Sequence, residues 1–149
     1  GQAKRPKTPD KEDGIRRSPR LLLTWLIETP ELFDKIRGII TADDFVENLY
    51  HQVAQMVFDG HREGNLNPAA ILSRFINDED QYKEVAALFN ASLKESLNNE
   101  EQKKAFSETV MKVRKNSLDV ASRNAKDITQ LQEIIKQQAA LKQLHISLD

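Results

Sequence analysis

Apolar positions in the last third of the chain repeat at helical spacing, with no glycine or proline to interrupt them. Residues Asn99 to Asp149 read NEEQKKAFSETVMKVRKNSLDVASRNA and then KDITQLQEIIKQQAALKQLHISLD. The spacing predicts two long helices joined by a short polar turn near Asn124 to Asp127, an antiparallel helical hairpin. In the first arm Phe106, Val110, Val113 and Val120 form the packing stripe. The second arm carries two neighbouring stripes. Leu131, Ile134, Leu141 and Leu148 make one; Ile128, Ile135, Ala139 and Ile146 make the other. A two-helix seam needs only a narrow stripe, so one partner helix leaves apolar surface uncovered. Either the rest of the chain covers it or another protein does, and an exposed apolar patch marks an interface. The hairpin is therefore the candidate working surface.

The preceding chain is punctuated for shorter helices. Ser18-Pro19, Thr29-Pro30 and Asn67-Pro68 each set a capping side chain before a proline. The cap accepts from an orphan backbone N–H, and the proline fills the first helical position, where its missing donor costs nothing. Thr41 with Asp43 and Asp44 predicts a fourth start, and Asn98 with Glu101 a capping box for the first hairpin arm. The helix from Pro19 to Glu28 is apolar on all sides in its middle (Leu21, Leu22, Leu23, Trp25, Leu26, Ile27), which predicts a place at the centre of a bundle. Pro30 to Arg37 is short, with Leu32, Phe33 and Ile36 as its face, and ends at Gly38. A third helix is expected from about Ala42 to His61, with Phe45, Leu49, Val53, Met56 and Val57 on one side and Gly60 and Gly64 fraying its end. Pro68 to Ile76 presents Ile71, Leu72, Phe75 and Ile76; Glu79 to Asn90 presents Tyr82, Val85, Leu88 and Phe89. Residues 91–98 fit a ragged continuation or a loop. No strand-period alternation occurs, so the predicted class is all-α: a helical bundle over residues 18–98, then a hairpin over 99–149.

Residues 1–17 are polar, charged and proline-bearing, and predict a disordered arm or linker. Gly1 in place of an initiator Met suggests a fragment of something larger. A chain of 149 residues can bury about 68–70% of its unfolded surface, enough for one domain without staples. The absence of cysteine excludes a disulfide scaffold and a thiolate metal site, and agrees with a cytoplasmic protein. No apolar run reaches the ~20 residues of a membrane span. Charge is uneven. Residues 1–20 hold seven Lys/Arg against three Asp/Glu; residues 21–98 hold six against thirteen; residues 99–149 hold nine against seven. The acidic middle argues against contact with nucleic acid there. Lys112, Arg114, Lys115 and Arg123 lie among acids on the first hairpin arm and read as a solvated face.

Catalytic and cofactor constellations are missing. His51, His61 and His145 form no HExxH and no close ligand pair. No Walker loop, GxGxxG or GxSxG occurs. Asp43-Asp44 is explained by a helix N-terminus, and Asp78-Glu79-Asp80 by a turn. The chain is expected to be non-catalytic, with no catalytic residue, no metal and no cofactor.

The segment SPRLLLTWLIETPELFDKIRGIITADDFVENLYHQVAQMVFDGHREGNLNPAAILSRF resembles the C-terminal domain of bacterial DNA primase. The marks are the leucine-rich first helix, TPEL at Thr29 to Leu32, ITADDF at Ile40 to Phe45, LYHQV, and EGNLNPAAIL. The ending SLDVASRNAKDITQLQEIIKQQAALKQLHISLD looks like the primase C-terminus of clostridia-like Gram-positive bacteria. The order of these marks over about Ile15 to Asp149 carries the resemblance.

The resemblance implies a helicase-binding module, a bundle followed by a helical hairpin. It would dock on the N-terminal domains of the hexameric replicative helicase, recruit primase to the fork for primer synthesis and modulate the helicase. The zinc-binding and polymerase domains of the primase, a nucleotidyltransferase, would precede residue 1. The helicase contact would fall on the second arm, at Ile128, Leu131, Ile134, Ile135, Leu141, Leu144, Ile146 and Leu148. No direct nucleic-acid contact, no membrane contact and a monomeric state are expected. The alternative is a self-associating helical domain, such as the helicase's own N-terminal domain. A helical DNA-binding regulator is disfavoured by the acidic middle.

Overall fold

The computed structural model describes residues 9–90 and 98–148, with side chains from residue 15. Its α-helices are α1 (Pro9–Glu28), α2 (Asn48–Glu63), α3 (Pro68–Ser73), α4 (Glu79–Asn90), α5 (Asn99–Arg123) and α6 (Ile128–Leu141). Two 3-10 turns, Pro30–Lys35 and Ala42–Asp44, link α1 to α2. Among the described residues there is no strand, so the all-α class holds. None of these helices is long and apolar enough to cross a membrane.

The apolar middle of α1 dictates its position. Leu22, Leu23 and Leu26 are fully buried, and α2, α4 and α5 all pack on α1. Trp25 meets Phe106 of α5 edge-to-face, with ring centroids 5.6 Å apart. The expected helix start at Ser18-Pro19 is corrected. Pro19 lies inside α1, which begins at Pro9, so residues 9–17 are helical where the composition predicts an arm. A proline at an interior position loses one ladder bond, so tertiary contacts must hold the turn before it. Arg16 provides them. Its guanidinium lies 5.5 Å from the centre of the Tyr50 ring and within 3.8 Å of Glu47 and 3.6 Å of Glu84. Residues 1–8 lie outside the described chain.

Thr29 makes no side-chain cap bond, yet Pro30 still opens a 3-10 turn that buries Phe33. Gly38 follows with φ 79°, the left-handed conformation expected of it. The expected helix from Ala42 is broken in two. Thr41 and Asp44 do form a capping box, but the turn they cap stops after Asp44. Phe45 then adopts an extended conformation and is fully buried, 6.0 Å from the ring of Phe58. Glu47 restarts the chain by accepting from the Tyr50 backbone N–H at 2.9 Å. Helical spacing from Phe45 to Val53 survives this break, which is why periodicity conceals it.

Gly60 does not fray α2. The helix continues to Glu63 and closes at Gly64 with φ 78°. Gly60 is needed for another reason: a Cβ there would sit 3.1 Å from the Leu66 Cα as the chain turns back. Asn67 caps α3 through Ala70 N–H at 3.3 Å, as expected. That helix stops at Ser73, short of the expected Ile76, which is 66% exposed. Of the packing positions expected on α4, Val85 and Leu88 are buried, Phe89 is half-buried and Tyr82 is exposed. Residues 91–97, where a ragged helix or loop was expected, lie outside the described chain.

Asn98 and Glu101 form the expected capping box on α5, at 2.8 and 3.1 Å. Phe106, Val110 and Val113 join the same buried cluster as α1 and α2. One core thus crosses the division at residue 99, and α5 belongs to both the bundle and the hairpin. The turn falls between Arg123 and Ile128, as expected, with Asp127 capping α6 through Gln130 N–H at 2.7 Å. The second arm is shorter than expected. It ends at Leu141, and residues 142–148 turn back over the bundle without forming a helix.

Candidate docking surface

The structure separates the two stripes of the second arm. One faces inward: Ile134 is buried, and Leu131 and Leu141 are half-buried where α6 packs on α5. On the α5 side Leu118 is buried, whereas Val120, the expected stripe member, is only half-buried. The other stripe faces solvent. Ile128 is 72% exposed, Ile135 is 52% exposed, and Ala139 continues the row one turn on. At about 100° per residue these three lie within roughly 40° of one another on the helix wheel. Gln132 and Lys136 border the row and are exposed.

The remaining predicted site residues are elsewhere. Leu148, Ile146 and Leu144 are not on a helix at all. Ile146 is buried in the main core, and Leu144 and Leu148 pack against it. The eight predicted contact residues therefore divide into an outward pair, an inward trio and a tail that closes the bundle.

Polar side chains fix how α6 sits on α5. Arg114 donates from Nη2 to Gln137 Oε1 at 2.9 Å. Gln138 donates to Asp119 Oδ1 at 3.1 Å, and Lys115 holds the other Asp119 oxygen at 2.8 Å. The Lys115 hydrogen bond is the chief reason the Asp119 carboxyl is held below its ordinary range. Arg114 also donates from Nη1 to Asp44 Oδ1 at 2.7 Å, reaching back into the bundle. The solvated face expected for Arg114 is thus corrected: its side chain is 26% exposed and bonded to two other elements. Sequence spacing gave no sign of this, because Asp44 is 70 positions away.

Among the described residues no group of three His, Asp or Glu could hold a metal ion. His51 donates from Nδ1–H to Ala42 O at 3.0 Å, and His61 stacks on Phe33 with centroids 4.0 Å apart. Both are packing roles, and His145 is exposed. Arg37, Arg62 and His61 line a cleft of ≈ 500 Å³ with an aromatic floor. Both guanidiniums are already paired, with Asp34 at 2.7 Å and Asp59 at 2.8 Å.

No family model matches the chain, and searches of curated proteins and of solved structures find no match.

Proposed function

We propose that this chain is a non-catalytic interaction domain, the helicase-binding domain of a bacterial DNA primase, acting in the cytoplasm at the replication fork. The observation that carries the reading is the exposed row Ile128, Ile135 and Ala139 on α6. A helix so placed suits a helix-in-groove contact, in which a few aliphatic anchors supply most of the affinity. The ordered marks from TPEL to EGNLNPAAIL supply the partner: the N-terminal domains of the hexameric replicative helicase. Docking requires no cofactor and no nucleic acid.

The test is a calorimetric titration of this chain against the hexameric replicative helicase of the same organism, with Ile135→Asp as the comparison. Saturable binding weakened by the substitution supports the reading and its surface. Binding that the substitution leaves intact moves the contact to the bundle. No binding at low salt with nucleotide present, together with a concentration-dependent dimer in sedimentation, replaces this reading with self-association through the same row.

A further inference from the structure

Two guanidinium nitrogens of one arginine join three parts of the fold. Arg114 stands on α5. Its Nη1 donates to Asp44 in the bundle and its Nη2 to Gln137 on α6. Asp44 is itself immobilised: its second oxygen accepts the Thr41 backbone N–H at 2.8 Å, and its side chain is 5% exposed. A planar guanidinium presents its donors in a fixed fork, so the two acceptors cannot move independently.

Gln137 occupies a telling position. At about 100° per residue it points about 180° away from Ile128 and about 160° away from Ile135. Bonding Gln137 to the bundle side therefore turns the isoleucine row outward. Apolar packing is incomplete at this end of α6. A cleft of ≈ 170 Å³ there is bounded by Gly38 and Ile39 of the bundle and by Ala140 and Leu141 of α6.

We infer that the Asp44–Arg114–Gln137 relay is a latch that sets the rotation of α6, and that Arg114 is a positioning residue for the docking row. The part concerning docking rests on the function proposed above. The latch itself does not. It predicts that α6 without the relay, still held by Ile134 and by the Gln138–Asp119 bond, rotates over a wider range while the bundle stays folded.

Removing Arg114 strands the buried Asp44 carboxylate, which endangers the fold itself. Gln137→Ala is the cleaner variant, because it cuts the α6 bond and leaves the Asp44 pair intact. The chain has no cysteine, so spin labels can be placed uniquely at Gln52→Cys on α2 and Gln132→Cys on α6, both exposed. Pulsed electron-spin distances then report the rotation directly. The expected result is a single narrow distribution in the doubly labelled parent and a shifted or broadened one in Gln137→Ala, with an unchanged Trp25 fluorescence melt. Gln137→Glu, which restores a charge-assisted acceptor for Arg114, should return the narrow distribution. A Gln137→Ala distribution superimposable on the parent overturns the latch. Titration of the unlabelled parent and unlabelled Gln137→Ala with the hexameric helicase tests the second part. Broadened distances with unaltered affinity overturn the positioning role, and a parent that does not bind overturns the docking reading while the distances still decide the latch.

Discussion

Trp25 and Phe106 meet edge-to-face, at 85° and 5.6 Å, joining the central helix of the bundle to the first arm of the hairpin. Both side chains are buried, at 4% and 2% exposure. The hairpin is therefore built on the bundle's own core, not attached beside it.

Phe106→Ala should accordingly cost about 3–5 kcal/mol, the usual range for a large aromatic lost from a packed core. The whole transition should shift, because the cluster is shared. Trp25 fluorescence and far-ultraviolet dichroism should give coincident unfolding curves in urea. A substitution that melted only part of the helical signal, at an unchanged Trp25 midpoint, would contradict a shared core.

Neighbouring residues Ile134 and Ile135 should behave oppositely. Ile135→Asp lies on the exposed row and should alter stability by about 0.5 kcal/mol or less. The same change should weaken helicase docking by at least about 2 kcal/mol if Ile135 is an anchor. Ile134→Asp buries a charge between the arms and should lower the melting temperature before any partner is added. Thermal melts run beside the titration separate the two effects.

The Tyr50 hydroxyl donates to Glu84, and burial, reinforced by that bond, pushes the phenol up to about 12. A raised acid favours the neutral form in the folded state. Its contribution is fully present below the ordinary phenol value of about 10 and is lost as pH rises toward about 12. In a Tyr82→Phe background, absorbance at alkaline pH should follow Tyr50 alone. Ionisation near the ordinary value, in protein still folded, would show that the phenol is not buried against Glu84.

Ile146→Ala should destabilise the fold by roughly 2–5 kcal/mol, since it empties a core site. A tail that served only to touch a partner would tolerate the change. A urea titration of the variant without partner distinguishes these outcomes.

Much of this architecture was legible in the sequence because local chemistry sufficed to specify it. The capping side chains of Asn67 and Asn98 act where expected, and Gly38 adopts its left-handed conformation. Leu22, Leu23 and Leu26 sit at the bundle centre because apolar side chains fill all but one position, Thr24, of that helix turn. The errors arise where distant partners overrule local signals. Pro19 resembles a helix start until Arg16 is seen to hold the preceding turn on Tyr50 and Glu84. Phe45 fits a helical repeat although the chain is extended there. Within the candidate surface, periodicity identified both stripes of α6 but not their directions. The inward side is bonded through Arg114 and Asp119, whose partners include residues on other elements. Leu144, Ile146 and Leu148 fit helical spacing too, but the helix has already ended.

The returning tail also bears on how the fold is reached. Ile146 shares a cluster with Leu22, so the core closes on itself across nearly the whole length of the chain. Contacts so remote in sequence reward the chain only after most of the loop-closure entropy has been surrendered. Interactions made that late, after the folding barrier, act mainly on the unfolding rate. The tail's place in this protein is then chiefly temporal: it governs how long the assembled bundle lasts more than how quickly it forms.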